Sequence, residues 1–169
     1  DTLYCDPLSS QKRKSTLLVL NIILQCLLKW FAPILSFTTE EIYQLVSKKK
    51  NSIHLENFLN IPKKFENLEL NEKWSQLLKI RDICNLSIEE KRATKEIGSS
   101  LEAAITININ KQKLKILEGI DFAELCITSL AEIKFHDTDE IVVQTNKAQG
   151  DKCPVCWKIN EEPCQRHGH

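Results

Sequence analysis

The sequence predicts an α+β protein in which a mainly helical bundle precedes a small α/β unit and a short, loop-rich tip. Apolar residues recur at steps of three and four in several stretches of the first hundred residues, which is typical of amphipathic helices. Strict alternation of apolar and polar residues follows over residues 105–110 and is typical of a half-buried strand. After residue 150 this alternation is absent and three closely spaced cysteines appear. The three predicted domains are residues 1–98, 99–149 and 150–169.

Residues 10–32 are predicted to form one long helix at the centre of the bundle. The helix is apolar enough to raise the question of a membrane span. However, Asn21, Gln25 and Lys29 recur every four residues on its other side, and Pro33 follows directly. A polar stripe of this kind is expected on a helix of a soluble bundle, so the sequence argues against membrane insertion.

A second helix is predicted near Thr38, because Thr38 and Glu41 match the reciprocal capping box. The helical period returns over residues 73–97, with Gly98 as the predicted C-cap. Two long helices and a shorter one are typical of antiparallel neighbours in a bundle.

The predicted α/β unit begins with the alternating strand at 105–110. Weaker patterns predict further elements, namely strands at 125–128 and 141–144 and short helices at 111–117 and 122–124.

The tip carries one Cys-x-x-Cys pair and one Cys-x-x-His pair, a spacing typical of tetrahedral zinc sites. The four candidate ligands are Cys153, Cys156, Cys164 and His167. Four protein ligands leave no open position, so a single structural zinc ion is predicted, with binding coupled to folding. His169 is an alternative to His167 as the fourth ligand. The other interpretation is a set of free thiols beside an ordinary turn at Pro154, although three of the seven cysteines fall within twelve residues.

Composition limits the function. The formal net charge is zero, so any nucleic-acid contact must depend on local charge rather than on a polybasic surface. An odd number of cysteines and the lack of a secretory signal favour a reducing cytoplasm. The sequence contains no methionine, which predicts that it is a piece of a longer protein. No Gly-rich phosphate loop, nucleophile–base pair or carboxylate pair supports a free-standing enzyme.

Four stretches then combine into a specific pattern. They are residues 1–6, residues 30–41, the Lys-Glu-Ile-Gly-Ser-Ser-Leu-Glu-Ala run at 95–103, and the two cysteine pairs of the tip. In this order they resemble the C-terminal region of bacterial-type isoleucyl-tRNA synthetases, which are class I enzymes. The chain departs from that family at Ser36, where proline is usual, at His167, where cysteine is usual, and in a shorter loop between the cysteine pairs.

The resemblance implies that different domains of the enzyme have different functions. The family's catalytic domain activates isoleucine with ATP, and its editing domain clears misacylated valine; neither is represented in these residues. The chain is therefore expected to bind the tRNA anticodon stem-loop without catalysing, and to act in an isoleucine–tRNA ligase only as part of the whole enzyme. Its expected partners are isoleucine tRNA and the catalytic domain of the same polypeptide, in a cytoplasmic monomer.

Five side chains are candidates for RNA contact. Trp157 follows a candidate zinc ligand and offers a stacking surface, with Lys158 and Arg166 on the same small tip. Arg92 and Lys95 come near the end of a predicted helix. Each has a structural interpretation as well: Trp157 as a cover over the metal site, and the two cations as partners of the helix dipole.

Two other functions compete with this reading. One is the same architecture in a neighbouring class I synthetase such as the valyl enzyme, which the cysteine pairs of the tip argue against. The other is a zinc-ribbon module for protein–protein interaction, which would show no salt-dependent RNA binding.

Overall fold

The computed structural model describes residues 2–47, 51–164 and 166–167, which fold into two compact units, Asp1–Glu66 and Asn67–His169. Six α-helices are present in the described residues: α1 (Thr2–Cys5), α2 (Gln11–Phe31), α3 (Ser36–Val46), α4 (Leu68–Ala93), α5 (Leu114–Leu117) and α6 (Phe122–Leu125). The same described residues contain the strands β1 (Ala103–Asn110), β2 (Leu130–His136), β3 (Val142–Lys147), β4 (Asp151–Lys152) and β5 (Ile159–Asn160). The α+β prediction is therefore confirmed.

The first unit is helical and is built on α2 and α3. Its buried core consists of Leu28, Ala32, Tyr43 and Ile53, with Leu24 packed against them. The Tyr43 hydroxyl donates to Glu56 Oε1 at 3.1 Å, and Lys29 Nζ lies 3.5 Å from Glu56 Oε2. These polar contacts connect both helices to the turn that follows α3. They therefore stabilise the unit in addition to its small core.

Helix α2 is long and apolar enough to cross a membrane by length and composition, with a mean hydropathy of 1.3. Only Cys26 and Leu28 of this helix are buried within the unit. Its N-cap is Ser10, whose hydroxyl accepts a hydrogen bond from the Arg13 N–H at 3.3 Å, so the predicted start near residue 10 is confirmed.

The predicted capping box at the start of α3 is wrong. The helix begins at Ser36, so Thr38 and Glu41 lie inside it. The chain turns tightly from α2 into α3, because the N–H groups of both Ile34 and Leu35 donate to the Phe31 carbonyl. The new helix therefore starts at once and leaves no room for Thr38 to act as its cap.

Helix α4 also differs from its prediction at both ends. It begins five residues earlier, because the Asn67 side chain accepts the Leu70 N–H at 2.9 Å as an N-cap. It ends at Ala93 rather than at Gly98. The Glu96 N–H donates to the Lys91 carbonyl and the Lys95 N–H to that of Arg92, which is a Schellman ending with Lys95 in the left-handed region (φ 60°).

The second unit is built around β1. This strand pairs in parallel with β2 and antiparallel with β3, giving the order β2-β1-β3. Ile105, Ile107 and Ile109 alternate into a core shared with α4, as the alternating sequence predicts. The predicted strand at 125–128 is wrong: these residues end α6 and turn, with Ile127 at φ 57°, while Cys126 and Thr128 are buried.

The boundary between the two units falls at Glu66–Asn67, whereas the predicted helical domain extends to residue 98. The difference arises because α4 packs on the sheet: Leu77, Ile80 and Cys84 are buried together with the isoleucines of β1. The three-part functional division, 1–98, 99–149 and 150–169, stays a prediction.

The hydrogen bonds of the Glu40 carboxylate lead to a testable prediction for the first unit. Its carboxylate accepts hydrogen bonds of 2.8 Å from Gln44 Nε2, Ser52 Oγ and the Ile53 N–H, and the first of these contributes most to a pKa below the ordinary value of 4.5. A lowered carboxyl pKa stabilises the folded state above about pH 4.5, and this stabilisation is lost as pH falls through the lowered pKa. We expect Glu40→Gln to speed hydrogen exchange at the Ile53 amide at pH 7.

The difference between Glu40→Gln and the unchanged chain should shrink in acid, where Glu40 itself becomes protonated. Glu41→Gln, an exposed neighbour on the same helix, removes the same charge and serves as the control. Equal exchange at Ile53 in both variants at pH 7 would contradict this role of Glu40.

Candidate metal centre and its surroundings

The first two candidate ligands lie in the loop of a β-hairpin formed by β4 and β5. Asp151 pairs with Asn160 and Lys152 with Ile159. The loop between the strands is closed by the Cys153 N–H, which donates to the Lys158 carbonyl at 2.9 Å. The hairpin therefore presents the Cys-x-x-Cys pair on a tight, internally bonded turn.

Gly150 allows the hairpin to close. Its φ is 111°, a conformation that L side chains rarely adopt, and an added Cβ would lie 2.1 Å from the Asn160 carbonyl oxygen. No other residue type fits this close approach of two backbone segments.

The structure brings all four candidate ligands together. The Sγ atoms of Cys153, Cys156 and Cys164 and a ring nitrogen of His167 all lie within 4.8 Å of one another. The separations include 3.7 Å between Cys156 Sγ and Cys164 Sγ, 3.6 Å between Cys153 Sγ and His167 Nδ1, and 3.4 Å between Cys164 Sγ and His167 Nδ1.

These separations fit a tetrahedral metal site. Zinc with Zn–S bonds of about 2.3 Å and Zn–N bonds of about 2.0–2.1 Å has ligand-to-ligand edges of about 3.5–3.8 Å. The His167 N–H donates to the Cys164 carbonyl at 3.0 Å, which makes the second turn as compact as the first. The cluster can therefore hold a metal ion. His169 lies outside the described residues.

The surroundings of the three thiols prepare them differently for metal binding. The Cys156 N–H is the main cause that lowers the pKa of the Cys153 thiol to about 6, aided by the Val155 N–H. Burial raises the pKa of the Cys156 thiol to about 11. Burial also acts to raise the pKa of Cys164, but hydrogen bonds from the His167 side chain and the Arg166 N–H outweigh it, and the pKa is lowered. Cys153 is thus the thiol that most readily loses its proton to bind a metal.

Trp157 is held in an unfavourable backbone conformation next to the cluster. Its φ is 64°, in the left-handed region, which costs a residue with a side chain about 1–2 kcal/mol. Its N–H donates to the Cys153 carbonyl at 3.0 Å. The residue is 59% exposed, and Lys152 Nζ lies 5.4 Å from the ring centroid. A strained residue with a largely exposed aromatic ring is an observation that points to function.

The other four RNA-contact candidates fall into two places. Lys158 and Arg166 are half-buried on the tip with Trp157. Arg92 and Lys95 instead line a groove of about 470 Å³ at the end of α4, together with Glu89, Ala93, Ile97 and Gly98. Arg92 Nη1 pairs with Glu89 Oε1 at 2.6 Å, so part of its charge is already compensated. The strained Lys95 contributes the second cation of this groove.

Sequence reasoning missed Ser129, which ties the tip to the sheet. Its hydroxyl accepts the Ile159 N–H of β5 at 2.6 Å and donates to the Leu101 carbonyl, while its own N–H donates to the Ala103 carbonyl at 3.0 Å. The residue is buried. A serine directly after a predicted strand carries no signal for this role, because the partner segments come from distant parts of the sequence.

The comparisons with known proteins agree with this geometry. Residues 1–107 match the family model described as the anticodon-binding domain of tRNA ligase. The chain belongs to this family.

Its relatives are more specific. The chain is 60% identical over 167 residues to the isoleucine–tRNA ligase of Pelagibacter ubique, a match that covers 99% of the chain. It is 38% identical to that of Agrobacterium fabrum and 34% identical to that of Gluconobacter oxydans, over 96% and 100% of the chain. It spans 18% of the length of each of these three ligases.

Gly150 provides a test of the hairpin geometry. We expect Gly150→Ala to displace β5 and weaken metal retention, because the new Cβ meets backbone atoms that cannot rotate away. The measurement is competition with a chromophoric chelator, with hydrogen exchange of the Ile159 amide as a local readout. Gly119→Ala is the matched control: Gly119 also has a positive φ, 75°, but nothing lies within 4 Å of its added Cβ. If both variants held metal equally well, the close approach at Gly150 would not support the site.

Proposed function

We propose that this chain is the tRNA-binding region of an isoleucine–tRNA ligase and that it recognises the anticodon stem-loop of isoleucine tRNA. The observation that carries the proposal is the match of residues 1–107 to the anticodon-binding domain family. The 60% identity to one isoleucine–tRNA ligase over nearly the whole chain supports the choice of amino acid.

The metal centre serves this function as a structural zinc site. Cys153, Cys156, Cys164 and His167 supply the sulfur and nitrogen ligands that zinc prefers, and four protein ligands leave no position for a substrate. No other residue in the described part of the tip is fully buried, so zinc supplies the cohesion that a hydrophobic core supplies elsewhere. His167 replaces one thiolate with a neutral imidazole, which leaves the site with one negative charge fewer than a four-cysteine site.

RNA recognition rests on local features of the tip and of the α4 groove. Sequence-specific recognition of RNA loops uses unstacked bases that lie on aromatic side chains and backbone phosphates that contact cations. Trp157 offers the aromatic surface, and Lys158 and Arg166 offer charge beside it. Arg92 and Lys95 offer a second contact for the phosphate backbone. This arrangement suits a chain with no net charge, since only local cations can attract the RNA.

The chain acts as one part of a larger enzyme. It covers 18% of the length of its relatives, and the activation of isoleucine with ATP belongs to a catalytic domain outside these residues. The exposed apolar side chains of α2, which include Leu18, Val19 and Ile23, give the rest of the polypeptide a surface to pack against. On this proposal α2 is covered by protein rather than by lipid, and the enzyme is a cytoplasmic monomer.

Trp157→Ala tests RNA recognition. We expect the zinc-loaded variant to bind the isoleucine anticodon stem-loop about 5- to 150-fold more weakly, because stacking of one base on an aromatic ring is worth about 1–3 kcal/mol. Dissociation constants are measured by fluorescence anisotropy at two salt concentrations. Val155→Ala, an exposed apolar residue of the same loop, is the control.

A stem-loop with altered anticodon bases separates the outcomes of this experiment. Preference for the cognate anticodon supports recognition of the anticodon itself. Equal binding of both stem-loops indicates that the chain contacts only the RNA backbone. Absence of salt-dependent binding favours the protein–protein interaction module instead.

Metal content tests the zinc assignment. We expect about one zinc ion per chain in the purified protein, loss of that ion in Cys156→Ala, and full retention in Cys5→Ala, which lies outside the cluster. His167→Cys should retain zinc, because thiolate is also a zinc ligand, whereas His167→Ala should bind it more weakly. Elemental analysis provides the stoichiometry. Unchanged zinc content in Cys156→Ala would refute the assignment of these ligands.

A further inference from the structure

We propose that Lys152 is a positioning residue for Trp157: its ammonium group occupies one face of the indole ring and leaves the opposite face to stack on a single loop base. The inference rests on the proposed function of the chain as an RNA-binding region. It adds a residue outside the set of RNA-contact candidates, and it limits the number of bases that the tip can hold by stacking.

The contact joins two anchored residues. Lys152 Nζ lies 5.4 Å from the centroid of the Trp157 ring, within the distance of about 6 Å at which a cation and an aromatic face attract. The Lys152 backbone is fixed by pairing with Ile159, and the Trp157 backbone by its hydrogen bond to Cys153. Because both ends are held by the same hairpin, the contact restrains the indole ring without requiring any other part of the chain.

The geometry leaves one stacking face. A base cannot stack on the side of the ring that the ammonium group occupies, so Trp157 cannot be inserted between two bases. Trp157 is 59% exposed, which leaves room for a base on the opposite face. Every base has an aromatic face, so this stack supplies affinity for whichever base occupies it, and base identity must be read by other groups.

A lysine beside RNA can also act by a direct phosphate contact, and the two roles make different predictions. A phosphate contact releases counterions, which steepens the salt dependence of binding whether or not Trp157 is present. A positioning residue acts only through the ring. Its removal therefore matters only when Trp157 is present, and the salt dependence stays the same.

A double-mutant cycle distinguishes the two roles. Dissociation constants of the zinc-loaded chain for the isoleucine anticodon stem-loop are measured at several salt concentrations with Lys152→Met, Trp157→Ala and the double variant. We expect Lys152→Met to weaken binding about two- to five-fold, in line with an exposed cation–π contact, with no further loss in the double variant relative to Trp157→Ala. Lys152→Arg should restore binding, since a guanidinium also lies well over an indole ring.

Controls separate this contact from charge and from folding. Lys147→Met removes the same charge from an exposed position of β3 and should bind RNA like the unchanged chain. Zinc content checks that each variant retains the tip. Stem-loops in which each loop nucleotide in turn lacks its base should give one position, and one only, at which Trp157→Ala no longer matters.

The possible outcomes of these experiments contradict different parts of the proposal. Equal losses from Lys152→Met in both backgrounds, or a fall of about 0.7 in the slope of log K against log salt, would overturn the positioning role in favour of a phosphate contact. A loss for Trp157→Ala without any loss for Lys152→Met would overturn the role of Lys152 alone. Two stacked loop positions would overturn the single-face geometry. If Trp157→Ala itself left binding unchanged, the stacking role within the proposed function would fail as well.

Discussion

The tip of this chain depends on the convergence of four ligand atoms within 4.8 Å. The buried residues in its described part are Cys153, Cys156 and Cys164, so the ligands themselves form its interior. A segment this short buries too little apolar surface to offset the entropy of ordering its backbone. On the proposed function, a bound ion would replace the missing core and fix the hairpin loop, which carries Trp157 and Lys158. The position of the Trp157 ring would then depend on metal coordination.

Ser129 connects the hairpin that carries Cys153 and Cys156 to the rest of the second unit. The Ser129 hydroxyl joins Ile159 of the hairpin to Leu101, directly before the central strand. Nearby, the Glu102 carboxylate accepts the Gly98 N–H at 3.0 Å, and the Glu102 carbonyl accepts the Ala148 N–H at 2.7 Å. The Gly-Ser-Ser-Leu-Glu-Ala run therefore works as a structural junction here: it ends the approach from α4, starts β1 and anchors the tip.

The parts of the fold that the sequence predicts well are those with strong local signals. The strand at β1 follows from strict alternation, and the gathering of four ligand residues follows from two short spacings. The failures have a common cause. Thr38 has the local signal of a helix cap, but a tight turn before it starts the helix earlier. Gly98 has the signal of a helix end, but the left-handed Lys95 ends the helix first. Residues 125–128 have the signal of a strand, but they form a buried turn. The first two outcomes follow from backbone hydrogen bonds of competing local turns, and the third from the burial of Cys126 and Thr128, so the signal of a single short stretch does not decide any of them.

The same limit applies to the candidate site. Ser129 and Lys152 gain their roles from partners brought close by hydrogen bonding across the hairpin and the sheet. Lys152 stands next to Cys153 in the sequence, yet its relation to the Trp157 ring appears only when β4 and β5 pair. Local charge, rather than total charge, then decides what a neutral chain can attract.

The left-handed backbone of Trp157 places stability and recognition in opposition at a single position. Glycine would relax the turn and make the loop of the hairpin easier to form. It would also remove the exposed aromatic surface. A protein selected only for the stability of this tip would therefore be expected to lose tryptophan here. On the proposed function, random substitution at position 157 would therefore give variants that fold well but bind RNA more weakly.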